Sequence, residues 1–167
     1  MSRIKRLLSL SNERALNFFL YFDNPLIHTS VMFRKRVIDQ VGYYETDLSR
    51  QPPEDYELWL RVSRHWKLKN LPTPLVKYRI LSNSFSRSKT DAFPNLTKLS
   101  AEYISDKLNI PFTQAHNLAS AYKFQTKLSF FDTLKLLLLI SKIAYKEKYC
   151  GTIYYSFCKI IIKRFLK

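Results

Sequence analysis

Glycine is scarce: the chain of 167 residues holds two, Gly42 and Gly151. Neither G-x-G-x-x-G nor a P-loop can be written with so few, so a glycine-rich phosphate cradle is excluded. An Asp-x-Asp pair is absent, and with it the usual metal-and-diphosphate pair at the end of an apolar strand. Cysteine is limited to Cys150 and Cys158, read as two free thiols in a reducing compartment. His28, His65 and His116 stand singly, so no zinc spacing exists. Long apolar runs are missing too. The best is Leu136 to Ile140, far short of a membrane span. The basic start, Met1 to Leu8, is interrupted by Asn12-Glu13-Arg14, and no small-residue cleavage site follows. The expected location is the cytoplasm.

Acidic residues are few. Thirteen Asp and Glu against 28 Lys and Arg leave a net charge of +15. Charge of that size implies an anionic partner: nucleic acid, acidic lipid or a phosphorylated ligand. Apolar residues make up 46% and include 12 Phe and 11 Tyr, enough to bury a core.

The most informative stretch is Pro53-Glu54-Asp55-Tyr56-Glu57-Leu58-Trp59-Leu60-Arg61. Pro53 suits the first position of a helix. Glu54 and Asp55 then fall in the first turn, where the helix dipole favours negative charge. Leu58, Trp59 and Val62 form the buried stripe, and Glu57 and Arg61 an i,i+4 pair on the surface.

Other elements follow from periodicity and caps. Residues up to 22 read as helix, bent near Ser11-Asn12, with Asn12 as a cap. Leu26–Phe33 alternates with period two and reads as a strand with Ile27 and Val31 inward and His28 on the other face. Arg34–Val41 is a helix closed by Gly42 in a left-handed cap. Lys67–Leu71 and Leu75–Ile80 read as short strands. The serine-rich stretch Ser82–Lys89 marks a boundary. Helices follow over about 95–108, 114–126 (Thr113 as cap), 132–148 (Asp132 as cap) and 152–165.

The last helix carries Ile153, Phe157, Ile161 and Phe165 on one face and Lys159, Lys163 and Lys167 on the other. Such a pattern fits either a membrane interface or ordinary packing.

The blocks Asn24-Pro25-Leu26-Ile27-His28, Val41-Gly42-Tyr43-Tyr44-Glu45, the Glu54-Asp55 helix and Leu75-Val76-Lys77-Tyr78-Arg79 stand in an order and spacing that resembles the acceptor-side half of family 2 inverting glycosyltransferases. The resemblance covers about half the chain. It implies an α/β fold: a partial GT-A-like mixed sheet with flanking helices over residues 1–86, then a helical basic tail over 87–167. It implies Asp55 as general base, with Glu54, Asn24 and His28 lining the acceptor pocket and Arg79 meeting the donor diphosphate. Many relatives carry a histidine two residues after that arginine, where Leu81 stands here. Nucleotide sugar and saccharide acceptor are the implied ligands, in assembly of bacterial surface polysaccharide. A divalent metal, Mn or Mg, is expected only with the donor-binding half, which the chain lacks. The chain alone should therefore be inactive, and should associate with itself or with a donor-half partner. Beside this stand two further readings: a non-catalytic remnant held peripherally on the inner face of the cell membrane, and a basic nucleic-acid binder, disfavoured because no recognition motif accompanies the charge.

Overall fold

The computed structural model describes residues 10–47, 49, 53–77, 92–123 and 128–166. Among them the regular elements are all helical: α1 (Glu13–Leu20), α2 (Lys35–Val41), α3 (Glu54–Val62), α4 (Ala92–Leu108), α5 (Phe112–Lys123), α6 (Phe130–Lys146) and α7 (Thr152–Phe165), with one 3-10 turn at His28–Ser30. The α/β expectation is overturned: the described residues hold no strand and no sheet.

Leu26–Phe33 shows why. A strand satisfies its backbone only beside another strand. No described segment runs beside this one in a ladder. It therefore turns through the 3-10 bend, held by Ser30 N–H on the Ile27 carbonyl at 2.9 Å. Residues 67–77 likewise run without a partner strand. Residues 78–80 of the second expected strand, and the serine-rich boundary at 82–89, lie outside the described residues.

Some helix ends follow their local signals and others do not. Asn12 caps α1, its side chain accepting from Ala15 N at 3.1 Å. Gly42 ends α2 at φ +84°, a conformation that side chains strain. α5 starts from the Pro111 carbonyl, which accepts from the Gln114 and Ala115 amides, so Thr113 lies inside the helix rather than capping it. α6 is capped by Ser129 and not by Asp132. Ser129 Oγ accepts from Asp132 N at 3.1 Å and donates to the Asp132 carboxylate at 2.6 Å.

Helix α1 lies at the centre of the packing. Phe18, Leu20, Tyr21 and Phe22 are fully buried. Phe157 of α7 meets Phe18, Phe19 and Phe22 and stacks on Tyr122 of α5 at 4.4 Å. Aromatic pairs of this kind add to the burial of their area. Tyr103 of α4 meets Tyr21 edge-on at 5.0 Å. The last carbonyls of α1 also find partners. Tyr56 Oη donates to the Leu20 carbonyl at 2.7 Å, and Ser100 Oγ donates to that of Tyr21. Orphan groups at a helix end are thus covered by side chains from α3 and α4. Across the molecule, Tyr21 Oη donates to Glu147 Oε1 at 2.7 Å.

α7 uses the middle of its apolar stripe internally, while Phe165 at its end is exposed. Phe157 and Ile161 are buried in the core, as ordinary helix packing requires.

Candidate functional site

Three segments converge at the start of α3. Pro53 is the N-cap rather than the first helical residue, so Glu54 and Asp55 open the helix. Asp23 anchors the incoming chain: its carboxylate pairs with Lys123 of α5 at 2.9 Å and accepts from Asn24 N at 2.8 Å. The Asn24 side chain then does two things. Its oxygen accepts from Leu26 N at 3.0 Å, a local turn of the kind Asn favours. Its Nδ2 donates to Asp55 Oδ2 at 2.8 Å. Asp55 Oδ1 accepts from Tyr56 N at 2.7 Å.

The second wall comes from the turn after α2. Arg61 of α3 donates through Nε to both Glu57 oxygens at 2.9 Å. Its other two nitrogens reach the carbonyls of Val41 and, at 2.6 Å, Tyr43. The guanidinium fork spans the Gly42 turn from both sides. This pair is not the surface pair that the sequence suggests, because Glu57 is only 4% exposed. The clamp delivers Tyr44, whose Oη lies 2.9 Å from His28 Nε2.

Four expected site residues thus come together: Asn24 bonds Asp55, and Glu54 and His28 lie within electrostatic reach of that carboxylate. Arg79 lies outside the described residues. Tyr44 joins them, although the sequence named it only within the Val41–Glu45 block and gave it no role. Its one signal was its position just past the Gly42 turn. Trp59 is core, 2% exposed and packed near Phe33.

Burial raises the Asp55 carboxyl above the ordinary aspartate value. The Tyr56 amide, the nearby His28 charge and the Asn24 amide pull the other way, and Glu54 adds to the rise. Burial likewise raises the Tyr44 phenol, with Asp55 and Glu54 adding to it. A half-buried carboxylate with a raised pKa is a stronger base than a solvated one. Among the described residues, one Asp55 oxygen accepts from Asn24 Nδ2 and the other from Tyr56 N, and a carboxylate oxygen has a second lone pair that a hydroxyl could use.

Among the described residues, no three His, Cys, Asp or Glu side chains gather as a metal site. A groove between α5 and α6 shares none of the residues of this cluster. No protein-family model, curated protein or solved structure matches the chain.

Proposed function

We propose that the Asp55 cluster is the acceptor-activating half of a site for inverting glycosyl transfer, the donor half lying outside the described residues. The observation that carries this reading is the Asn24–Asp55 hydrogen bond, which joins two residues 31 apart and fixes a half-buried carboxylate. In the reaction an acceptor hydroxyl gives its proton to Asp55. Its oxygen bonds the anomeric carbon, and the bond from that carbon to the nucleoside diphosphate breaks on the opposite face. Asn24 fixes the carboxylate. His28 and Tyr44 offer polar groups to neighbouring hydroxyls, and Glu54 keeps the pocket negative.

Holding the donor in line contributes on the order of 7–11 kcal/mol to such a reaction. The leaving diphosphate also needs fixed positive charge. The described residues present no site of that kind beside Asp55, so the chain alone should neither bind nucleotide sugars nor turn them over.

Amide and side-chain NMR of the full chain, titrated with simple hexoses and N-acetylhexosamines, is the test. Saccharide at millimolar concentration should move the Asn24, His28, Tyr44 and Asp55 signals. Uridine, guanosine and thymidine diphosphate sugars with Mn²⁺ should give no submillimolar heat of binding in calorimetry. Saccharides that leave all four signals unmoved would refute the half-site. Tight nucleotide-sugar binding by the monomer would refute the expectation that the chain alone does not bind them.

A further inference from the structure

One face of α6 has no partner among the described helices. Phe131 and Tyr145 are 71% and 88% exposed, and Leu134 and Leu138 between them are about half exposed. At 100° per residue these four side chains fall within about 60° of one another. The opposite side of the helix is buried through Leu136, Leu139, Ile140 and Ile143. α6 is thus apolar inward and apolar outward, whereas a helix seated on a core ordinarily turns polar residues to water.

The charges around the stripe have one sign. Lys135, Lys142 and Lys146 are exposed along one flank. Asp132 sits at the first turn, engaged by its cap, and Glu147 accepts from the buried Tyr21 hydroxyl. On the other flank α7 continues the surface. Phe130 meets Phe165 with ring centres 6.0 Å apart, and Ser141 Oγ lies 3.1 Å from Tyr154 Oη. Tyr155, Ile162 and Leu166 of this second strip are exposed as well. An open groove of about 450 Å³ runs between α5 and α6, with Lys135 and Lys142 among its lining residues.

We propose that this face of α6 seats the protein on an anionic lipid surface. The Phe, Leu and Tyr side chains enter the interfacial layer while the lysines meet headgroup phosphates. Charge decides among occupants. A second copy docked face to face would set Lys135, Lys142 and Lys146 against their own equivalents, in a chain whose net charge is already +15. A nucleic acid would satisfy the lysines and leave the apolar stripe in water. A bilayer of acidic lipid covers both. α6 has 17 residues and a length of roughly 25 Å, and it lies along that surface. No described helix is long and apolar enough to cross it. The inference is independent of the half-site around Asp55, with which this face shares no residue.

Vesicle flotation of the full chain tests it. The protein should float with phosphatidylcholine vesicles containing phosphatidylglycerol and not with phosphatidylcholine alone. The double substitution Phe131→Gln and Leu138→Gln should lower partitioning at least tenfold while leaving the helical circular dichroism unchanged, because both side chains are exposed. Lys135→Gln with Lys142→Gln should lower it roughly 25-fold, at about fivefold for each lysine. Equal flotation on both vesicle types, no flotation, or variants that float like the parent would overturn the proposal. A concentration-dependent dimer in sedimentation, lost in Leu138→Gln and unaccompanied by flotation, would assign the face to a second copy instead.

Discussion

Asp55 is a residue under opposed influences. The helix start and the Asn24 and Tyr56 donors favour its charge, while burial disfavours it and prevails. The folded carboxyl therefore binds its proton more tightly than the unfolded one. Its contribution to stability is full below the ordinary aspartate value of 3.8 and is lost as pH rises through the raised folded value. Asp55→Asn lacks that titration and keeps an acceptor for the Tyr56 amide. We expect the variant to lose ground against the parent at low pH and recover it as pH rises from about 4 towards neutrality, relative to the aspartate range. Urea unfolding at several pH values checks this; a stability difference independent of pH would mean that Asp55 titrates as a solvated side chain. Asn24, Glu54 and Asp55 were candidates through the resemblance. What the sequence showed locally was an Asn-Pro corner and two acids opening an apolar helix, and that helix start is where the structure has it. Tyr44 was not a candidate, because what brings it to His28 is an arginine 17 positions later in the chain.

That arginine belongs to the scale of elements. α2 and α3 are joined through the Gly42 turn, and the join is the Glu57–Arg61 pair with its two backbone carbonyls. Sequence spacing identified the pair correctly but not its burial, since i,i+4 describes a distance along a helix and not what covers it. Removing one member of a buried pair leaves the other uncompensated. Glu57→Gln should cost about 3 kcal/mol, the lower end for such a loss because Arg61 keeps some solvent contact. It should also shift the Tyr43 and Tyr44 resonances. A cost below about 0.5 kcal/mol would mark a pair that solvent already screens. The expected strands failed for a related reason. Alternation in Leu26–Phe33 specifies which side chains share a face, yet a strand exists only where a neighbour completes its hydrogen bonds. Helices carry their bonds within themselves, so the extents of α2 and α7 were readable from local pattern alone, whereas α4 begins at Ala92, three residues before its expected start. On α7 the period was right: Phe157 and Ile161 pack into the core, while Phe165 at the end of the same stripe is exposed.

At the scale of the whole molecule, Phe157 is the residue on which the helices depend. It touches α1 and α5 at once and is 4% exposed. Phe157→Ala should cost about 3–5 kcal/mol, a large part of the stability of a small domain. Chemical denaturation gives the number, and a loss under 1 kcal/mol would show that α7 is held by other contacts. The same geometry has a consequence in time. Helix α1 leaves the ribosome before α7, and the Phe157 ring that covers Phe18 and, just past the helix, Phe22 is made after both. At about 5–20 residues per second, the roughly 140 residues between Phe18 and Phe157 take on the order of ten seconds to make. During that interval α1 lacks the ring that covers its aromatic flank, and this part of the core closes only once α7 has been made.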